Sequence, residues 1–138
     1  MRSPTWLGLV AAVLVSFAPQ ATATHAVNHR YLVLGYVRDA VGEPIRQVVV
    51  HVVREKTGLA YEARTGADGF YRVIVHLHDD DVLEPLLVNV GGAAVRIEAR
   101  FNPLNVRKHR GTRVDFIADK GRERQDTFTD ALDRYLKE

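Results

Sequence analysis

Tyr71, Val73, Val75 and Leu77 place apolar side chains at every second position, a spacing that a strand resolves onto one face and a helix does not. The segment is fed by Thr65-Gly66-Ala67-Asp68-Gly69, in which Asp68 and Gly69 suit the positive backbone angles of a tight hairpin turn. The same period recurs over 45–55, with Val48, Val50 and Val52 on one face and Gln47, Val49, His51 and Val53 on the other. That second face is apolar enough to imply partial cover.

Turn residues divide the chain into seven expected strands, at 31–38, 45–55, 59–65, 70–76, 86–90, 93–101 and 112–118. Gly91-Gly92 suits a two-residue hairpin link, and Asn102-Pro103 breaks the sixth strand. In the first strand Leu32, Leu34 and Tyr36 alternate with Val33, Gly35 and Val37, so its inward face is ambiguous. Short strands at roughly ten-residue spacing imply an all-β fold, a seven-stranded antiparallel sandwich over 30–120. In the tail, Phe128, Ala131, Leu132, Tyr135 and Leu136 fall at spacings of three and four, which predicts a short amphipathic helix within 126–138. So short a helix is marginal alone, and the expectation is that it docks on the sheet.

The first 23 residues differ in kind. Arg2 precedes a run of about a dozen apolar residues, 7–18, which is short for a bilayer span of about 20 and suits a secretory signal. Small residues in Ala21-Thr22-Ala23 and Thr24-His25-Ala26 predict cleavage after Ala23 or Ala26, hence an exported, periplasmic or extracellular protein with no remaining transmembrane segment. Ser3, Ser16, Trp6 and Met1 are the only residues of their types, and there is no Cys. The mature chain would lack both Ser and Cys, which excludes Ser-His-Asp and Cys-His catalysis as well as disulfides. Removing Arg2 from 19 basic residues against 17 acidic leaves the chain nearly neutral, with no reason to invoke nucleic acid.

Gly35-x-Val37-x-Asp39-x-x-Gly42-x-Pro44-Ile45, then Val48-x-Val50-x-Val52, Thr57-Gly58 and Thr65-x-x-Asp68-Gly69-x-Tyr71-x-Val73 resemble the carboxypeptidase regulatory-like domain family. The resemblance implies a prealbumin-like (transthyretin-like) sandwich acting as a non-catalytic accessory module. It also implies that Ile45 and the valine ladder fill the core. Neither the Lys to Asn isopeptide bond nor the Tyr-Arg-Gly-Ser signature of related modules is present.

His76-Leu77-His78 before Asp79-Asp80-Asp81 is the sharpest local constellation. Alternate strand residues project to one side, so His76 and His78 could offer two imidazoles to one zinc or copper ion, with Asp80 or His51 as third ligand. The acidic triplet lacks the alternating spacing of a calcium loop. Arg107, Lys108, Arg110 and Arg113, with Arg96 and Arg100 nearby, form the one basic cluster, a candidate for an acidic partner. Val49, Val53, Phe70 and Ile74, rimmed by Arg72, His51 and His76, would make an apolar interaction surface if the second and fourth strands share a sheet. No catalytic residue and no obligatory cofactor is expected. The sequence therefore reads as an exported, non-enzymatic module docking on an unidentified protein or envelope component, with a small periplasmic metal-binding protein as the alternative.

Overall fold

The structure, a computed structural model, describes residues 29–137. Cleavage after Ala23 or Ala26 falls outside the described residues. Eight strands form two four-stranded sheets: β1 (Arg30–Arg38), β2 (Val49–Arg54), β3 (Ala60–Arg64), β4 (Phe70–His76), β5 (Pro85–Val90), β6 (Ala93–Glu98), β7 (Arg110–Ile117) and β8 (Lys120–Glu123). One sheet runs β4-β1-β7-β8 and the other β3-β2-β5-β6. Among the described residues a single α-helix, α1 (Phe128–Lys137), follows a 3-10 turn at Gln125–Thr127.

Two expectations need correction. The strand count is eight, because Lys120–Glu123 pairs with β7 although its Lys-Gly-Arg-Glu sequence carries no apolar alternation. Charge on a short edge strand is a common defence against stray pairing, and it hides the strand from a hydrophobic pattern. The first sheet is also mixed, since β1 runs parallel to β7 while pairing antiparallel with β4.

β1 explains its own ambiguity. Tyr31, Val33 and Val37 face the second sheet, in a core with Val50, Val52, Tyr71, Val73, Val75, Leu86, Val88, Val114 and Phe116. Leu32 and Leu34 face the other way and are equally buried, together with Phe70, beneath Ala131 of α1. The strand is covered on both faces, so neither half of its alternation is polar. Ile45, by contrast, is substantially exposed rather than part of the core.

The helix docks through Phe128, Ala131, Leu132 and Tyr135, whereas Leu136 points to solvent. Its seat is reinforced by cations on aromatic faces: Arg72 lies 4.6 Å from the Tyr135 ring centre and Arg134 5.0 Å from that of Phe70. Arg134 also pairs with Asp68 in the turn before β4. That turn needs Gly69, whose φ is +78° and where a Cβ would lie 2.4 Å from the Val37 carbonyl oxygen. Among the described residues, no helix is long and apolar enough to cross a membrane.

Two phenols are locked in the core. Tyr71 donates its hydroxyl to the Val114 carbonyl, and burial pushes its ionisation well above the ordinary range, with Asp115 adding to the effect. Burial does the same to Tyr31, helped by Glu123. A phenol harder to ionise when folded gives stability that is complete below about pH 10, where unfolded Tyr begins to ionise, and is lost as pH rises towards the folded value. The phenolate absorbance of these two residues, assigned with Tyr31→Phe and Tyr71→Phe, should therefore appear only together with loss of β-sheet circular dichroism. Phenolate signal from either one in an intact sheet would contradict the packing described.

Candidate metal centre

The three imidazoles that come together are those of His29, His76 and His78. His76 ends β4, and His78 lies two residues on, so Leu77 between them turns into the core, where it is fully buried, and both histidines are left on the opposite side. The antiparallel register pairs Arg30 with His76, which brings the residue before β1 alongside the residue after β4. The Leu77 N–H accordingly donates to the His29 carbonyl at 3.1 Å. Ring centres lie 5.8 Å apart for His29 and His76, 5.2 Å for His29 and His78, and 4.8 Å for His76 and His78. One ring nitrogen from each falls within 4.8 Å of the other two. His29 and His76 are half-buried and His78 is exposed, so the cluster opens to solvent on one side.

The backbone beneath these rings is fixed by charge. His78 enters a 3-10 turn at Asp79–Asp81, donating its N–H to the Asp81 carboxylate at 2.8 Å. Arg54, the last residue of β2, reaches across from the second sheet. Its Nε and one terminal nitrogen donate to the two Glu84 carboxylate oxygens at 2.8 and 2.9 Å. The same side chain approaches Asp81 at 3.5 Å and donates to the His76 carbonyl at 3.4 Å. The hydrogen bond to Glu84 is the main cause that raises the Arg54 pKa, so this buried guanidinium stays charged. Asp79 in turn accepts from Arg110 at 2.9 Å. Asp79, Asp81 and Glu84 are thus paired with Arg54 and Arg110 beside the imidazoles.

Not every expected ligand is here. His51 lies on β2 in the other sheet and faces Glu62 at 3.2 Å. Asp80 sits exposed in the 3-10 turn and is outside the cluster. The third imidazole is His29, which precedes β1 and was not among the expected ligands. Only strand pairing brings it to His76, and no spacing motif connects the two.

The expected interaction surface is not formed. Val49 and Val53 lie on β2, whereas Phe70, Arg72 and Ile74 lie on β4 in the opposite sheet. Phe70 is buried under α1 and Arg72 stacks on Tyr135, leaving Ile74 exposed. The basic cluster also divides. Arg110 is buried against Asp79 and the Phe101 ring, while Arg113, an odd number of residues along β7, points to the other face and pairs with Asp115 at 3.0 Å. Arg107 and Lys108 remain exposed on the loop between β6 and β7.

No family model and no curated protein matches this chain. Solved structures similar to it include the dioxygenase domain of a dioxygenase–carbohydrate-binding protein fusion from the cellulolytic bacterium Streptomyces sp. SirexAA-E. That match has 19% identity and a TM-score of 0.44, and covers 70% of this chain and 84% of the other. A second is catechol 1,2-dioxygenase from Acinetobacter sp. ADP1 inhibited by bound mercury, at 10% identity and a TM-score of 0.35, covering 77% of this chain and 56% of that one. The resemblance to carboxypeptidase regulatory-like domains is thereby corrected: its motif matches no family model, and the similar structures are dioxygenase domains. Apart from the exposed Ile45, the quoted residues are turn and strand positions that a β-sandwich can need for its own packing.

Glu84 is almost wholly buried with Arg54, so Glu84→Gln should leave the guanidinium only its longer contacts to Asp81 and the His76 carbonyl and lower unfolding free energy by about 3 kcal/mol. Replacing both partners, as Arg54→Met/Glu84→Leu, should cost distinctly less in urea unfolding. Equal losses in the single and double variants would contradict the pairing.

Proposed function

We propose that this chain is an exported, non-catalytic metal-binding β-sandwich that holds zinc or copper on His29, His76 and His78. The observation that carries this reading is the convergence of three imidazole nitrogens within 4.8 Å at the meeting of β1 and β4. Imidazole suits both metals, and three protein ligands leave a fourth position for water or a partner's side chain. A metal–nitrogen bond of about 2.0–2.1 Å puts ligand nitrogens roughly 3.3 Å apart in a tetrahedral site, so the rings close by side-chain rotation when the ion enters. The half-exposed setting of His29 and His76 and the exposure of His78 allow that rotation. Export rests on the apolar run at 7–18 and the small residues before Ala23 and Ala26. Docking on an envelope component would then proceed through the metal's open position, since the valine and phenylalanine surface expected for it is divided between two sheets.

Calorimetric titration of zinc into the full chain should give one site. Loss of a ligand, in His29→Ala or in His76→Ala/His78→Ala, should weaken it at least about tenfold, or about 1.4 kcal/mol. His51→Ala should bind as wild type does. Because imidazoles ligate in the neutral form, acidification should release the ion. Identical heats in wild type and both ligand variants would end the proposal.

A further inference from the structure

We propose that the cleft between the 99–109 loop and the start of α1 binds a small molecule carrying an oxyanion on a flat apolar body. The cleft measures about 270 Å³, the scale of a compact ligand. Its floor is Gly111 of β7, where a Cβ would lie 2.2 Å from the Leu32 carbonyl oxygen and 2.7 Å from the Phe128 ring. Glycine at this position is what allows Phe128 to descend onto the sheet and form one apolar wall. Phe101 also lines the cleft, its ring packed 6.1 Å from that of Tyr31 and covered on one face by the Arg110 guanidinium at 4.5 Å.

Three of the polar side chains lining the cleft are cationic donors, Arg100, Lys108 and Arg110. Arg100, Lys108, His109 and Arg110 line the cleft, and none of its lining residues is a carboxylate. Asn102 and Asn105 line it too, with their side-chain oxygens already occupied. The first accepts the Leu104 N–H at 3.0 Å, and the second accepts the Arg107 and Lys108 N–H groups, both at 3.2 Å. With both acceptor positions of its oxygen used, what Asn105 offers a ligand is its NH2 group. Arg110 is oriented by Asp79 at 2.9 Å and by the Pro103 carbonyl at 3.2 Å. Arg100 pairs with Glu98 at 3.0 Å on an exposed surface, and such a pair is weak enough to yield to an anion. With Asp79 and Glu98 outside the lining, the guanidinium, ammonium and amide donors that line the cleft match a carboxylate or phosphate group. The phenyl rings of Phe101 and Phe128 that line the cleft match a ring behind it.

This site shares no residue with the imidazole cluster and does not rest on the metal reading, so metal-free protein is used to test it. Titration of the full chain with benzoate, followed by amide chemical shifts, should give saturable changes at Gly111, Asn105 and Lys108. Affinity should fall at least about tenfold in Arg100→Ala/Lys108→Ala, whose side chains project from the surface and leave the core intact. Benzamide, the same shape without charge, should not saturate, and inorganic phosphate should bind the same amides more weakly than benzoate. Phosphate binding as tightly as benzoate would overturn the role of the rings. The site itself would be overturned by no saturable shift at about 10 mM benzoate, ten times a millimolar dissociation constant, by equal affinity in the double variant, or by benzamide binding as benzoate does.

Discussion

The antiparallel pairing of β1 with β4 is the constraint on which the rest depends. β1 is the strand covered on both faces, by the second sheet on one side and by α1 on the other. Its register against β4 decides at once which residues fill the core and which seat the helix. A slip of one residue would exchange those sets, sending His76 and His78 inward and Leu77 out. Burying unpaired imidazoles in an apolar core is costly, so the register that satisfies the core is also the one that gathers the histidines. His29 joins them because the pairing runs one step beyond the strand, through its carbonyl and the Leu77 N–H.

Imidazole and ion-paired side chains collect at the end of the sandwich where β1 begins and β4 stops. Arg54 crosses from the second sheet to hold Glu84, Asp81 and the His76 carbonyl, tying the two sheets together directly under the imidazoles. A buried ion pair of this kind is weak evidence for stability, because desolvation offsets much of its attraction. Its contribution here is positional: it fixes the backbone on which His76 and His78 ride. Asp79 continues the chain of charges to Arg110, which forms a side of the donor-lined cleft. The imidazole cluster and the cleft are thus neighbours joined by one ion pair.

Much of the sandwich could be read in the sequence, and the exceptions have physical causes. Period-two alternation marked β2 and β4, and the turn at Asp68-Gly69 marked where β4 starts, because these features are local. Spacings of three and four likewise marked the helical stripe that docks. Alternation says which residues share a face of one strand, but not which strands share a sheet. That is why Val49 and Val53 were grouped with Phe70 and Ile74, and why the parallel neighbour of β1 was not seen. Lys120–Glu123 lacked the apolar signal because it lies at an edge. The basic cluster looked like one patch until β7 turned Arg110 and Arg113 to opposite faces. At the candidate metal centre His76 and His78 were legible as an alternate pair, while His29 was not, because its proximity is a property of the fold alone.

Long-range nitrogen spectra of the imidazole side chains, recorded as zinc is added to the full chain, test the central claim most directly. The ring nitrogens of His29, His76 and His78 should shift together and saturate together, while those of His51 and His109 stay where they are. A shift of His51 in place of His29, or no concerted change among the three, would contradict a centre built by the pairing of β1 with β4.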